Sequence, residues 1–461
     1  MEVNNGLGSY WLENSRERAK VRPRLDHNLK CDVAIVGAGY TGLWTAFWLK
    51  KNDPSLDIVV LEKNFVGFGA SGRNGGWLSG KTVGLRHKLL ESGVDQRRVL
   101  EIERLCHRAP VEVKSLVENA GYDFDAAVGG WMQVSRSESE LERQKNAVRS
   151  DYEFGLEPDE VRLLSREEVA SRVNIAGAVG ALYSPHAVKC DPALLVLGLA
   201  EMCESLGVQI FESSGVKSVN EGCCQLLRCS VSASTVVVAT EGYTSSIDGM
   251  ERDILPMVSS MIVTEPLTDD AWHEVGWNGF ECVSGASHLY PYAQRTGDGR
   301  VAIGGRGVPY FWKSGVDDFG QLDRRTIAAL SSTIESFFPH VEFKVGHAWC
   351  GVLGVTRDWS PFVDVSVNGK LVRLGGYAGQ GVAAAYVAAR SAADVLCNVD
   401  SEYAASPWLR PVPQKWHPEP LRWIGSRVVR ELYHFGDLHE SIRGGRKTSI
   451  LGSFGNKLAG R

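Results

Sequence analysis

The pattern of apolar and polar positions predicts a strand, a turn, a helix and a second strand near the start of the chain. Residues 31–36 are mostly apolar and predict a strand, and residues 43–49 have the apolar character of a buried helix. Between them lies a glycine-rich turn at residues 37–42. Residues 57–61 predict the second strand, which is followed at once by Glu62. This order is typical of a βαβ unit.

Further helices and strands follow from spacing and end signals. Apolar residues recur at helical spacing from about Leu85 to Gly121 and predict helical structure there. A second helix is predicted after Asp191, because aspartate is a favourable N-cap and Pro192 fits the first helical position. Residues 208–211 and 215–219 then predict strands. Their place after the helix suggests a return to the first sheet.

A second β-rich block lies in the later half of the chain. Its predicted strands are residues 256–264, 288–295 and 300–306. Apolar and polar residues alternate along these runs, which is typical of an antiparallel sheet with one covered face. The chain is therefore expected to combine an α/β part with an α+β part.

The composition describes a globular protein and excludes some classes of partner. The 461 residues are 44% hydrophobic and 23% charged, and the net charge of −5 gives no basic footprint for nucleic acid. We find no apolar run near the ~18 residues of a membrane span and no secretory signal pattern at the start. The ten cysteines form no zinc-like C-x-x-C pairs, so we expect no metal site and a reducing cytoplasm.

The first 30 residues are expected to form an irregular arm. Five basic residues alternate with other residues there and could form an anion patch, although a solvated arm packed on the surface is the favoured interpretation. They are Arg16, Arg18, Lys20, Arg22 and Arg24.

The glycines of the first turn point to dinucleotide binding. Gly37 permits the turn, Gly39 lets backbone N–H groups approach a pyrophosphate at the helix N-terminus, and Gly42 allows close packing of helix on strand. Glu62, about 20 residues further on, is placed to hold a ribose hydroxyl. Residues 65–77 are also rich in glycine, as expected where bare backbone covers FAD along its length. A nicotinamide cofactor would not need this second cradle.

The segment Gly69-Ala-Ser-Gly-Arg-Asn-Gly-Gly76 after Glu62 resembles the D-amino-acid oxidase superfamily of FAD enzymes. The chain is most similar to the branch that contains glycine oxidase and γ-glutamylputrescine oxidase. The resemblance continues through residues 234–243, through Trp349, Gly351, Thr356, Asp358, Pro361 and residues 375–381, and into the tail at residues 416–423.

The resemblance implies a Rossmann-like FAD-binding domain interleaved with a substrate domain built on an antiparallel sheet. The expected FAD-binding domain comprises residues 31–84, 185–250 and 345–400. The expected substrate domain comprises residues 85–184 and 251–344. Residues 1–30 form the arm and residues 401–461 a C-terminal extension.

The resemblance also implies which residues contact FAD, here expected to be held without a covalent bond. They are Gly37, Gly39, Tyr40, Thr41, Gly42, Glu62, Lys63, Gly69, Ala70, Ser71, Gly72, Arg73, Asn74, Gly75, Gly76, Val216, Ala239, Thr240, Gly242, Gly351, Gly376, Tyr377, Gly379, Gln380, Gly381 and Val382.

The implied reaction removes a hydride equivalent from the carbon beside an amine nitrogen and delivers it to flavin N5. The imine product is then hydrolysed to an aldehyde or ketone, and O2 or another acceptor reoxidises the flavin. An alanine-rich helix is predicted to start at Gly379-Gln-Gly381, and its free N–H groups would face the negative charge that develops on the ring. The flavin supplies most of the chemistry, so few acid or base residues are needed.

Departures from the family pattern suggest the substrate class. Leu353 stands where glycine oxidase and its relatives have the arginine that binds the substrate's α-carboxylate, and leucine cannot make that contact. Amines without an α-carboxylate, such as polyamine derivatives, are therefore favoured, unless Arg306 or Arg357 binds the carboxylate from another direction. Some relatives attach the flavin covalently through a cysteine near the position of Cys350. The lysine that assists the reaction with oxygen in sarcosine oxidases aligns near Ala302 in this chain. An oxidase and a dehydrogenase therefore remain alternatives.

Substrate-pocket candidates come from the second β-rich block, on the face that resembling enzymes turn toward the flavin. By strand parity Tyr290 and Tyr292 lie on one face together with His288, and Arg306 follows the third strand. Sheet packing is the more common role for tyrosines so spaced. An aminophosphonate, N-methylated amine or amino acid substrate stays open, as does a non-catalytic FAD-binding protein.

Overall fold

The computed structural model describes residues 3–6, 8–81, 86–305, 310–316, 319–443 and 448–459. Leu85 and Arg306 lie outside the described residues. The described residues form the strands β1 (Asn4–Asn5), β2 (Leu29–Val36), β3 (Ile58–Leu61), β4 (Trp77–Ser79), β5 (Ala127–Val128), β6 (Trp131–Ser135), β7 (Arg162–Leu164), β8 (Gly180–Ser184), β9 (Ala187–Lys189), β10 (Gln209–Phe211), β11 (Val216–Asn220), β12 (Cys223–Leu226), β13 (Ser230–Val238), β14 (Leu255–Thr264), β15 (Cys282–Gly285), β16 (Tyr292–Arg295), β17 (Val301–Gly305), β18 (Val345–Val355), β19 (Phe362–Val365) and β20 (Leu371–Gly375).

The same residues form the helices α1 (Tyr10–Asn14), α2 (Tyr40–Asn52), α3 (Arg86–Glu91), α4 (Gln96–Asn119), α5 (Glu138–Phe154), α6 (Arg166–Ala170), α7 (Pro192–Ser205), α8 (Asp269–Val275), α9 (Arg324–Phe337), α10 (Gly381–Leu396), α11 (Leu421–Arg443) and α12 (Ile450–Ala459). The helix predicted after Asp191 is confirmed as α7. The Asp191 side chain accepts hydrogen bonds from the N–H groups of Ala193 and Leu194, so it caps the helix as its sequence position predicts.

An eight-stranded sheet holds the predicted βαβ unit. Its main strand order is β10-β3-β2-β13-β12-β11, with β20 beside β13 and β19 beside β20. Strands β10, β3, β2, β13 and β20 run parallel. All four residues of β3 are buried, as expected for a parallel strand covered on both faces. Helices α2, α7 and α10 contribute to the apolar core on one side of this sheet.

The antiparallel sheet predicted from the second β-rich block is also present. It has nine strands in the order β1-β18-β14-β17-β16-β15-β6-β8-β7, and all neighbouring strands are antiparallel except the parallel pairs β1–β18 and β15–β6. Strand β14 lies antiparallel to β18, from the pair Leu255 and Val355 to the pair Thr264 and Val345. A second core packs against this sheet and includes apolar residues of α8 and α9. The chain is thus a mixed α/β protein, and the exact domain boundaries stay a prediction.

The predicted strand at residues 288–295 is too long. Only Tyr292–Arg295 forms a strand, because Pro291 has no N–H to donate to a ladder and the preceding residues turn away. The N–H groups of His288 and Leu289 donate to the carboxylate of Asp437 instead, at 2.7 and 3.0 Å. Strand parity therefore does not relate His288 and Tyr290 to Tyr292, and that part of the interpretation is wrong.

The N-terminal segment is more ordered and more buried than predicted. It forms the short strand β1 and the helix α1, whose Trp11 is almost fully buried and donates to the Asn74 carbonyl at 2.9 Å. The buried Arg22 pairs with Glu204 at 2.6 Å and with Glu212 at 3.2 Å. The Arg22 guanidinium is therefore already paired with two carboxylates of the protein itself. The large aromatic side chains of α1 explain why the segment packs rather than remaining solvated.

The C-terminal extension contains the two helices α11 and α12, which pack against each other. Trp359 donates through Nε1 to the carbonyl of Ala459 in α12, at 2.7 Å, and Trp416 donates to the carbonyl of Val355 at 2.8 Å. These contacts attach the extension to the rest of the molecule. Within the part of the chain that the structure describes, no helix is long and apolar enough to cross a membrane.

Candidate active site

The turn between β2 and α2 keeps the backbone bare at the N-terminus of the helix. Gly37 has a φ of +105°, and a Cβ on it would lie 2.8 Å from the Ala239 carbonyl oxygen. A Cβ on Gly39, the N-cap of α2, would lie 2.8 Å from Ser71 Oγ. A Cβ on Gly42 would collide with the carbonyl oxygen of Gly37. The three glycines themselves place no side chain in front of the helix N-terminus, and backbone N–H groups left open in this way suit a pyrophosphate.

Glu62 stands directly after β3 and lines the cavity in front of this turn. Its two carboxylate oxygens accept hydrogen bonds from the N–H groups of Ala38 and Asn64, each at 2.9 Å. Burial raises the pKa of Glu62, while these hydrogen bonds act in the opposite direction. The side chain is therefore fixed at the edge of the sheet, where a ribose hydroxyl would be recognised.

The second glycine-rich loop packs against the first turn. Ser71 Oγ accepts a hydrogen bond from the Tyr40 N–H at 2.9 Å. Asn74 braces the loop from inside, since its amide donates to the carbonyls of Ala70 and Ser71. The carbonyl of Arg73 accepts a hydrogen bond from Trp349 Nε1 at 2.9 Å. This last contact ties the loop to the antiparallel sheet above it.

A tight turn leads from β20 into α10, as the sequence predicts for the segment before Gly381. Gly376 and Gly379 have φ values of +86° and +100°, which favour glycine. Gln380 is the N-cap of α10, whose first turn opens on the same cavity. The helix dipole therefore presents its positive end to that space.

Glu241 is a buried acid in this region that our reading of the sequence missed. Its carboxylate accepts hydrogen bonds from the N–H groups of Gly376, at 2.9 Å, and Tyr377, at 3.1 Å. Burial raises the pKa of Glu241 to about 7. The available signal was its position soon after the β13 strand, at Ala-Thr-Glu-Gly, where an acid follows the carboxyl end of a parallel strand.

Aromatic residues surround the opposite end of the cavity. Tyr292 in β16 shares a hydrogen bond with Ser259 of β14 at 2.8 Å, and its ring meets Trp77 edge to face with centroids 6.0 Å apart. A Cβ on Gly75 would lie 2.6 Å from the Tyr292 ring, and one on Gly304 would overlap it. The phenol ring is thus held between the glycine-rich loop and the sheet.

Leu353 also lines this end of the cavity. It belongs to β18 and pairs with Met257 of β14. Its Cδ2 lies 3.7 Å from the position that a Cβ on Gly379 would take, so the leucine side chain sits next to the turn before α10. Tyr290 and Trp359 line the cavity as well.

Most of the residues proposed from the sequence line one cavity, which has about 2050 Å³ of empty space including its opening to solvent. Those lining it are Gly37, Gly39, Tyr40, Thr41, Glu62, Lys63, Gly69, Ala70, Ser71, Arg73, Asn74, Gly75, Val216, Ala239, Thr240, Gly242, Tyr290, Tyr292, Gly351, Tyr377, Gly379, Gln380, Gly381 and Val382. Gly42, Gly72, Gly76 and Gly376 instead lie in close-packed backbone behind the lining.

His288 does not line the cavity, contrary to its selection as a pocket candidate. Its ring nitrogen Nε2 lies 3.1 Å from Glu440, and the ring stacks on Tyr433 with centroids 5.8 Å apart. The turn that replaces the predicted strand directs this side chain toward α11. Arg306, the other candidate beyond the tyrosines, lies outside the described residues.

The cavity fits FAD along its length. It is lined by Glu62, by the N-termini of α2 and α10, and by the aromatic side chains of Tyr290 and Tyr292. Cys350 is buried in β18 next to Gly351, and its Sγ lies 4.0 Å from the Gln321 carbonyl oxygen. Cys350 belongs to the apolar core packed against the nine-stranded sheet rather than to the cavity lining. Non-covalent binding of FAD stays a prediction.

These features together define a flavin-binding α/β protein whose cofactor cavity is covered by an antiparallel sheet. The chain belongs to the FAD dependent oxidoreductase family, whose model matches residues 32–395. It is therefore an FAD-dependent oxidoreductase.

Relatives cover nearly the full length of the chain. It is 26% identical over 448 residues to a probable oxidoreductase, OrdL, of Haemophilus influenzae, a match that covers 93% of this chain and 97% of that protein. It is 27% identical over 400 residues to the γ-glutamylputrescine oxidoreductase of Escherichia coli, with 84% and 88% covered. The crystal structure of glycine oxidase from Geobacillus kaustophilus matches with a TM-score of 0.69 at 18% identity, covering 83% of this chain and 98% of that one. This last similarity concerns the fold.

Proposed function

We propose that this protein oxidises an amine that carries no carboxylate on the reacting carbon, such as a polyamine derivative, to an imine that water hydrolyses. The observation that carries the proposal is Leu353, which lines the cavity at the position where the resembling amino-acid oxidases have a cation. Bound FAD accepts the hydride equivalent in this chemistry. The residues of this chain bind the amine, orient it and exclude water.

The cavity that Leu353 lines is poorly suited to a carboxylate on the reacting carbon. Tyr290, Tyr292, Trp77 and Trp359 supply aromatic surface to the same cavity. A carboxylate buried against leucine would remain unpaired, which costs several kcal/mol. The hydroxyl groups of Tyr292 and Ser259, 2.8 Å apart, can exchange hydrogen bonds with an amine nitrogen or another polar group of the substrate.

The described cations that line the cavity belong to the cofactor segments. Lys63 follows Glu62, at the end where the ribose would bind. The guanidinium of Arg73 lies over the ring of Phe68, 4.6 Å from its centroid, in the second glycine-rich loop. Both positions support roles toward the cofactor.

The turn before α10 supports the electronic part of the reaction. The positive end of the helix dipole, together with N–H groups near Gly379, is suited to negative charge on a reduced flavin ring. Glu241 holds the backbone of this turn through Gly376 and Tyr377. We infer that Glu241 acts as a positioning residue for the turn.

The similarity to γ-glutamylputrescine oxidoreductase adds to this proposal. The compound in that relative's name carries a terminal amine whose neighbouring carbon bears no carboxylate. We keep O2 and a different electron acceptor as alternatives, and a cytoplasmic location as a prediction.

The test is anaerobic rapid mixing of the FAD-loaded protein with matched pairs, each amine against its α-carboxylated counterpart. We expect the amines to bleach the flavin absorbance faster, and the rate to rise with pH as the bound ammonium loses its proton. Faster reduction by glycine, D-alanine, D-proline or sarcosine would overturn the assignment. Photoreduction of the flavin with no response to any amine would favour a non-catalytic FAD-binding protein.

Two variants sharpen this experiment. Leu353→Arg introduces a guanidinium that can bind a carboxylate with two hydrogen bonds, so it should shift the preference toward the α-carboxylated member of each pair by at least tenfold. Leu353→Met changes the shape of the side chain without adding charge and should keep the original preference. An unchanged preference in Leu353→Arg would show that this position does not face the substrate.

A further inference from the structure

The two C-terminal helices present an unusual amount of apolar surface. We call the helices α11 and α12 the C-terminal hairpin. Its exposed apolar side chains range from 39% exposure at Leu451 to 84% at Ile450. They are Leu421, Ile424, Val428, Phe435, Leu438 and Ile442 on α11, and Ile450, Leu451, Phe454 and Leu458 on α12. Exposed apolar residues that form a continuous surface, rather than scattered single residues, mark an interaction site.

The exposed apolar residues of α11 follow one stripe. They recur at spacings of three, four and seven residues, which places them on one side of the helix. Its other side is already packed, since Tyr433 and Glu440 are buried and Gly436 lies against Gly452 of α12. The stripe is therefore additional to the face that attaches α11 to the protein.

The charge of this region differs in sign from that of the whole chain. Residues 421–461 contain eight Lys and Arg against three Asp and Glu, whereas the rest of the chain contains 42 against 52. The two helices themselves hold five of these basic residues against the three acids, and Arg430 and Lys457 are among the five. Arg430 Nη1 lies 3.4 Å from Oε1 of Glu431. Trp312, about half exposed, meets Trp423 of α11 edge to face with centroids 5.9 Å apart. Apolar helix faces with basic and tryptophan neighbours are typical of surfaces that lie in a bilayer interface.

We propose that the C-terminal hairpin binds the surface of a bilayer that contains anionic lipids, with its helices in the plane of the interface. The apolar side chains supply burial and the basic residues supply attraction to lipid headgroups. A second copy of the chain fits less well, because it would bring another basic hairpin against the first.

The hairpin also contacts the wall of the active-site cavity. Asp437 of α11 holds the turn that precedes Tyr290, and the Ala459 carbonyl of α12 holds the indole of Trp359. Both Tyr290 and Trp359 line the cavity. A membrane bound at the hairpin would therefore lie beside the substrate end of the site rather than beside its ribose end.

The experiment is sedimentation of the FAD-loaded protein with vesicles of phosphatidylcholine alone or mixed with phosphatidylglycerol. We expect binding to the mixed vesicles and at least tenfold weaker binding to the neutral ones. The double variant Phe435→Ser with Leu438→Ser should bind at least tenfold more weakly, because it removes two apolar side chains from the interface. The double variant Arg430→Gln with Lys457→Gln should bind roughly 25-fold more weakly, since each basic residue near such a surface contributes about fivefold.

Matched controls separate lipid binding from misfolding. Leu227→Ser with Val367→Ser removes two exposed apolar side chains outside the hairpin and should leave vesicle binding unchanged. Flavin content and melting temperature should match those of the wild type in every variant. Equal binding to neutral and mixed vesicles, or no binding at all, would overturn the proposal. A dimer that depends on Phe435 in the absence of vesicle binding would assign this face to a second copy instead.

Discussion

The carboxylate of Glu241 and the backbone N–H of Gly376 are joined by a hydrogen bond of 2.9 Å, and the next N–H, that of Tyr377, donates to the same carboxylate. The bond connects the end of one parallel strand to the turn that precedes α10. An acid from the β13 side thereby fixes the backbone on which the flavin ring is expected to rest. Without the Glu241 carboxylate, the N–H groups of Gly376 and Tyr377 would lie in a buried turn with no obvious acceptor.

Glu241→Ala should release FAD. Loss of the carboxylate leaves buried N–H groups unsatisfied, at about 1–3 kcal/mol each, and frees the turn before Gly379. We expect at least a tenfold rise in the dissociation constant for FAD, measured by flavin fluorescence on titration of the apoprotein. Glu241→Gln keeps one acceptor oxygen and should show a smaller rise. Wild-type FAD affinity and wild-type reduction potential in Glu241→Ala would contradict the role.

Gly39→Val should yield protein without flavin. The branched side chain would occupy the space in front of the α2 N-terminus, where Ser71 Oγ already lies 2.8 Å from the site of a Cβ. The measurement is the ratio of absorbance at 450 nm to that at 280 nm after purification. Gly425→Val is the control, because it adds the same bulk on α11, where a Cβ would meet nothing within 4 Å, and should leave the flavin content unchanged. A fully loaded Gly39→Val protein would show that no phosphate lies there.

Gly304→Ala should impair turnover while FAD remains bound. A methyl group at this position would overlap Met261 Sδ and the ring of Tyr292, so the ring must move into the cavity. Such overpacking costs about 1–3 kcal/mol, and we expect kcat/KM to fall at least tenfold. Gly305→Ala is the matched control, since its methyl group would meet only Leu330 Cδ2, at 3.1 Å, on the other face of β17. Equal kinetics for the two variants would contradict the constraint on Tyr292.

His107 should make the fold sensitive to acid. Burial, together with the neighbouring His186 ring at a centroid distance of 4.3 Å, lowers the pKa of His107 to about 4. The unfolded chain takes up this proton near pH 6.5, so the folded state loses stability as pH falls from 6.5 toward 4. This group alone lowers the free energy of unfolding by about 2 kcal/mol at pH 5.

His107→Phe keeps a stacking ring and removes the titrating group. Its urea midpoint should therefore fall less than that of the wild type between pH 7.5 and pH 5. Replacement of the exposed His340 by Phe is the control, because it removes a histidine from the surface and none from the core. A His107→Phe variant that loses stability as steeply as the wild type would refute the assignment.

Local patterns were sufficient for the parts of the fold that depend on neighbours in sequence. The turn from β2 into α2, the acid after β3, the cap of α7 and the start of α10 each combine a conformational preference with an apolar pattern over a few residues. The family resemblance then identified the bound dinucleotide as FAD and indicated which residues contact it. Together they identified most of the residues that line the cavity.

The failures concern contacts between distant segments. Asp437, 149 residues away, binds the backbone at His288 and turns it out of the expected strand. Glu241 binds a turn 135 residues further along the chain. Neither partner is visible from spacing along one strand or helix, because tertiary contacts decide both conformations.

The N-terminal segment changes what should be regarded as the complete folding unit. Asn4 and Asn5 form a strand that pairs with the edge of β18, and the nearly buried Trp11 packs against Trp349. Arg22 forms ion pairs with Glu204 and Glu212. The family match begins only at residue 32. A gene trimmed to that boundary would leave an indole-sized hole between the nine-stranded sheet and α7, so we expect the minimal stable protein to be longer than the region that the family model matches.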